Sequence, residues 1–298
     1  MRITHDVESS QLLINLNKVK TQRQKYFNQL TSGKQLEKPS DDPAGAARVI
    51  QLNKVLAQSE YYQKNIDDAK SFLAATEASL SAVSENVQQA LTIGLRGSSD
   101  TTGEEARKLL ADQVDYILDR VLAESNRQYG NKYIFGGTVV KEAPFEKQDD
   151  NTIVMTNEDA IDNAHIRELL KGDQVQVNLS GRDVFIEGTN IFDTLVDLRN
   201  SLENNDREQI QAAYMQLQDA ATQITRYSGI AGLRYEHVTN VEQTLADFKL
   251  QTEALRSSIE DADVATAAIN YQSIETIYQA NLQYGAKILQ NSILDYLA

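Results

Sequence analysis

The sequence predicts a mainly α fold, an elongated antiparallel helical bundle or coiled coil with paired N- and C-terminal helices and a small β-containing insert at the far end. Three observations predict it. Apolar residues recur at steps of three and four along most of the chain, which keeps one face of a helix apolar. The longest such run, from Ala44 to about Ile93, passes through Leu52, Val55, Tyr62, Ile66, Leu73, Leu80, Val83 and Val87. As one helix it would extend about 70 Å, more than a compact domain needs. All three prolines fall outside the helical runs and most glycines at their ends, so local chemistry agrees with the periodicity.

In chain order, the first helix carries a heptad seam at Leu12, Leu16, Val19, Tyr26 and Leu30, interrupted by Arg23, and stops at Thr31-Ser32-Gly33. Pro39 and Pro43 keep the next stretch out of helix, and Asp42 is the expected N-cap with Pro43 at the first helical position. Gly94, Gly97 and Gly103 end the long helix. Thr101 and Glu104 have capping-box spacing for the next, whose apolar face is Leu110, Val114, Ile117 and Val121. After the Tyr129-Gly130-Asn131 turn, strands are expected at Lys132 to Phe135, Thr152 to Met155, Val175 to Leu179 and Asp183 to Ile186. Helical spacing returns at Ile191 to Leu202 and at Ile210 to Ile224, pauses at Gly229 and Gly232, and resumes from Val238 to Ile259.

The last stretch, Val264 to Ala298, holds only Glu275, Lys287 and Asp295 as charges in a chain that is 24% charged. Its stripe of Tyr271, Ile274, Tyr278, Leu282, Leu289, Ile293 and Tyr296 is expected to be an assembly surface together with the N-terminal seam, because a helix facing water keeps a charged outer side. Three domains follow: residues 1–40 with 264–298 as a terminal assembly domain, 41–139 with 191–263 as a helical rod, and 140–190 as the insert. Read as a surface insert, residues 140–190 would tolerate replacement by a linker.

A net charge of −14 argues against nucleic acid or an anionic membrane as partner. Cysteine is absent, removing disulfides, thiol nucleophiles and thiolate metal sites. The start has no continuous apolar core of a signal peptide, and no run is long enough to span a bilayer. His5, His165 and His237 lie in separate segments without a catalytic or phosphate-binding motif. The acidic pair Asp41-Asp42 and the acidic cluster Glu260, Asp261 and Asp263 suit caps and exposed faces better than a metal. No catalytic residue, cofactor or metal is therefore expected.

The residues Thr31 to Lys34 with Pro39-Ser40-Asp41-Asp42-Pro43-Ala44-Gly45, and Ser258 to Asp263 with the helix after them, resemble the flagellin-like axial proteins of the bacterial flagellum. The resemblance covers roughly the first 140 and last 110 residues and leaves the insert unmatched. Pro43 in that motif, Tyr133-Ile134-Phe135-Gly136-Gly137-Thr138 and the Asp295-Tyr296-Leu297-Ala298 end are similar to the members at the hook-filament junction rather than to filament flagellins. The resemblance implies a secreted, non-enzymatic structural component, exported without a cleaved signal peptide with the help of an export chaperone. It also implies self-assembly into a ring between a neighbouring hook-associated protein and flagellin. A minor filament flagellin is the alternative, and a cytoplasmic coiled-coil adaptor the alternative of another class.

Overall fold

The structure is a computed structural model that describes residues 2–137, 142–148, 152–156 and 162–297; for residues 2–6, 8 and 288–297 it describes the backbone alone. Among the described residues the chain is mainly helical. The helices are α1 (Arg2–Ser32), α2 (Pro43–Gly97), α3 (Glu104–Ser125), α4 (Gly181–Phe185), α5 (Ile191–Glu203), α6 (Arg207–Glu260) and α7 (Val264–Leu297). Six short strands form three antiparallel pairs: β1 (Gln128–Tyr129) with β2 (Lys132–Tyr133), β3 (Phe145–Lys147) with β4 (Ile153–Met155), and β5 (Ile166–Leu170) with β6 (Asp173–Gln176). The chain divides into two compact units, Met1–Gln58 with Asp247–Ala298, and Ser59–Ala246. Both divisions fall inside long helices, after Gln58 of α2 and before Asp247 of α6.

In the second unit, α2 and α6 run antiparallel: Lys70 pairs with Glu242 at 2.7 Å, and Gly94 lies against Tyr214. Their shared face buries Ile66, Leu73, Leu80, Val83 and Val87 against Leu217, Ile224, Val238 and Leu245, the positions that the periodicity selects. α3 folds back on α2, with Ser79 Oγ donating to the Glu124 carbonyl at 2.9 Å, and its apolar face packs on α5. Arg107, buried at the α2–α3 turn, donates to the carbonyls of Gly97 at 2.8 Å and Ser99 at 3.0 Å, and to the Asn205 side chain. Asn205 holds a φ of 57°, which its short polar side chain tolerates better than most residues.

The insert is part of this core. Phe145, Ile153, Leu169, Val175, Val177 and Val184 are buried in the same cluster as the helices, and Phe135, Phe145, Phe185 and Phe192 pack ring on ring at centroid separations of 5.0 to 5.6 Å. It lies beside α2, where Asn65 donates to the Glu168 carbonyl, and beside α6, where Gln223 donates to the Val184 carbonyl and Arg234 to that of Asn178. A surface loop would contribute no such buried rings, so replacing the insert by a linker is expected to open the core.

Several local expectations change. α6 runs unbroken through Gly229 and Gly232, because Ala231 and Val238 keep its inner face buried on either side of Gly232. Asp183 to Phe185 lie in the short helix α4, with Ile186 as its C-cap, and not in a strand; the helix starts at Gly181, where a Cβ would stand 2.7 Å from the Phe135 carbonyl oxygen. The N-cap of α3 is Gly103, without a side-chain cap, while Thr101 faces Ser99. Strands β3 and β5 were not legible from alternation: Ile166 to Leu170 carries two charges in five residues.

Candidate assembly surface

In the first unit α1 and α7 pair antiparallel. Leu12 meets Gly285, Arg23 meets Glu275 and Tyr278, and Phe27 meets Tyr271. Gly285 permits that approach, since a Cβ there would stand 3.1 Å from Leu12 Cδ2. The sequence-derived positions Leu12, Leu16, Val19, Tyr26, Leu30, Tyr271 and Tyr278 are half-buried, and Ile274 is buried at 8% exposure. These residues therefore face within the chain to a large extent. Leu282 stays exposed, and the side chains of Leu289, Ile293 and Tyr296 lie outside the described residues.

Arg23 looked like a fault in the seam and is instead a contact. Its Nη1 is 3.3 Å from Glu275 Oε2, and its guanidinium lies 4.4 Å from the centre of the Tyr278 ring. The signal was present in the sequence, because Glu275 is one of three charges in the terminal stretch.

The loop between α1 and α2 locks the two chain ends together. Gly33, at φ 70°, ends α1; its carbonyl accepts from Ala262 N at 2.8 Å, and Gln35 N donates to the Glu260 carbonyl at 2.9 Å. Lys34 forms an ion pair with Glu260. Asp42 Oδ1 accepts from Ala44 N at 3.0 Å, directly before Pro43 opens α2. Gly45 is buried at this turn, where a Cβ would stand 2.5 Å from Asp42 Oδ2 and 3.1 Å from Leu36 Cδ1. The Pro-Ser-Asp-Asp-Pro-Ala-Gly run is thus a compact cap and turn. Asp263 does the same for α7, its Oδ1 accepting from Ala265 N and Thr266 N and its Oδ2 from Thr266 Oγ1. Those bonds hold its carboxyl below the usual aspartate range.

Among the side chains that pairing leaves exposed are large apolar ones. Val7, Leu13 and Ile14 on α1 and Ile269, Ile277, Leu282 and Tyr284 on α7 are all exposed, with Ile269 at 70%. Ile269, Ile277 and Tyr284 follow at eight and seven residues and share one helix face. Sequence reasoning chose the inner stripe because it is more regular; the outer one shows only once the partner of each helix is known. Among the described residues no three His, Asp or Glu side chains gather as metal ligands, and no helix is long and apolar enough to cross a membrane.

The likeness to flagellin-like axial proteins holds in sequence and in fold. Residues 3–139 match the bacterial flagellin N-terminal helical region. The chain is 28% identical over 149 residues to flagellar hook-associated protein 3 of Escherichia coli, covering 50% of this chain and 47% of that protein. It is 22% identical over 269 residues to a flagellin of Halalkalibacterium halodurans, covering 90% and 87%. The chain spans about half the length of the hook-associated relatives it matches. Among solved structures, a flagellar hook-associated protein from Vibrio parahaemolyticus aligns with a TM-score of 0.68 at 19% identity, over 74% of this chain and all of that one. FlgL of Bacillus cereus aligns at 0.61 and 19%, over 70% and 99%. These two share the fold.

Proposed function

We propose that this chain is a structural subunit of the bacterial flagellum that joins hook to filament, holding its place by packing its terminal helices against neighbouring subunits, and that it catalyses no reaction. The observation that carries the reading is the set of apolar side chains left open on α1 and α7 after the two helices have paired. Burying such side chains in a subunit contact would gain roughly 1.5–3 kcal/mol each. The names of the hook-associated relatives support the place of action. Copies would close a ring, with a hook-associated protein and flagellin as neighbours and an export chaperone accompanying secretion.

Electron microscopy of cells lacking the gene tests this. The expected result is hooks without filaments and intact flagellin in the medium, both reversed by the wild-type gene. Filaments that stay attached would overturn the reading in favour of a minor filament flagellin, which the near full-length match to the Halalkalibacterium halodurans flagellin favours.

A further inference from the structure

Within the Ser59–Ala246 unit a cleft of about 410 Å³ opens between α2, the β1–β2 turn and β5. Its walls are aromatic. Tyr129 and His165 each stand edge-on to Phe72, at centroid separations of 6.0 and 6.2 Å and an interplanar angle of 83° in both cases. Tyr129, 37% exposed, is the ring that a ligand can reach. The charges in the cleft do not cancel. Arg167 is engaged, with Nε and Nη2 donating to Asp68 Oδ2 at 3.0 and 2.7 Å. Lys132 has no such partner: among the described residues its Nζ meets only His165 Nε2, at 3.4 Å. Burial and the two neighbouring cations lower the pKa of His165, so near pH 7 the ring is neutral and offers Lys132 an acceptor without a counter-charge. Among the described residues, one surplus positive charge thus sits in an aromatic cleft of a chain whose net charge is −14.

We propose that this cleft binds a small acidic sugar, its carboxylate on Lys132, its ring face on Tyr129 and its hydroxyls donating to Asp68 Oδ1 and the Asn131 amide oxygen. The chemistry of the lining selects that class. A simple anion would gain Lys132 but would leave the apolar ring surface, Asn131 and Asp68 Oδ1 without a partner. A neutral sugar would satisfy the rings and Asp68 while leaving the ammonium desolvated without a counter-charge. Only a ligand with an apolar ring face, hydroxyl donors and one negative charge answers every group in the cleft. The inference does not depend on the flagellar role.

The test is saturation-transfer NMR on the full chain with D-glucuronate, D-glucose and inorganic phosphate as separate probes. D-Glucuronate should bind in the millimolar range, roughly tenfold tighter than D-glucose, the factor expected of one charge-assisted hydrogen bond. Lys132→Met should remove that advantage while keeping glucose binding, and Tyr129→Ala should weaken both sugars, with the melting temperature of each variant unchanged. Three results would each overturn the proposal: phosphate binding as tightly as glucuronate, glucuronate binding unaffected by both substitutions, or no saturation transfer to glucuronate.

Discussion

Single residues here act mostly through backbone groups that they satisfy. Arg107 carries a charge into the core of the Ser59–Ala246 unit and is tolerated there because three acceptors meet it. Arg107→Met keeps the stem but leaves the carbonyl of buried Gly97 without its side-chain donor and that of half-buried Ser99 with Thr102 N alone, so it should cost about 2 kcal/mol in denaturant unfolding. Periodicity could not find this residue, since an arginine between apolar positions reads as a solvent-facing charge; only the meeting of the α2–α3 turn with Asn205 explains it. Asp263 was legible as an acidic residue before a helix, but its role as cap was not. Its folded-state pKa is depressed, so its contribution is present above the unfolded aspartate pKa and lost as pH falls through the folded value. The protection of the Ala265 and Thr266 amides, taken relative to their intrinsic exchange rate at each pH, should therefore fall on acidification below the usual aspartate range. Asp263→Asn, which keeps an acceptor but cannot titrate, should show no such acid step of its own, whereas Asp263→Ala should exchange fast at every pH.

The long helices were legible because their pattern repeats over many turns; the expected runs overlap β2, β4 and β6, whereas β1, β3 and β5 were not legible because strands of at most five residues carry too little alternation. α6 shows where local preference loses. Gly229 and Gly232 suggested a break, yet the helix continues, and a Cβ at either position would meet nothing within 4 Å. No packing demands these glycines. Each weakens the helix by about 0.5–1 kcal/mol relative to alanine. On both sides of them the insert grips α6, through Gln223 on the Val184 carbonyl and Arg234 on the Asn178 carbonyl. Gly229→Ala with Gly232→Ala should raise unfolding stability by about 1–2 kcal/mol together. Gln223→Ala with Arg234→Ala should speed hydrogen exchange between residues 225 and 233 in the wild-type background and do so less in the alanine pair. Equal acceleration in both backgrounds would show that the glycines are not the weak point.

At the scale of the whole molecule, the sequence indicated two helical chain ends that find each other, and the structure pairs them from Leu12–Gly285 to Phe27–Tyr271. Which side of that pair faces outward was not legible, because apolar residues occur on both sides and periodicity does not say which stripe another helix of the same chain takes. Ile274 and Ile269 separate the two. Both are isoleucines on α7, five residues apart, but Ile274 is 8% exposed in the α1–α7 seam while Ile269 is 70% exposed. In the free chain, Ile274→Asp should lower the stability of the unit formed by the two chain ends by about 3 kcal/mol or more, since it removes a buried side chain and buries a charge among apolar neighbours. Ile269→Asp should change it by less than about 0.5 kcal/mol, because water already reaches most of that side chain. If the open face is the subunit contact, the order reverses on assembly. Ile269→Asp would then lose roughly 1.5–3 kcal/mol of apolar burial in every subunit and add a desolvated carboxylate to each contact. The expected outcome is a variant with a wild-type calorimetric profile that nonetheless leaves hooks bare when cells carrying it are counted by electron microscopy. Filament-bearing hooks at wild-type frequency would show that the Ile269 face stays in water after assembly and that the contact lies elsewhere on the terminal helices.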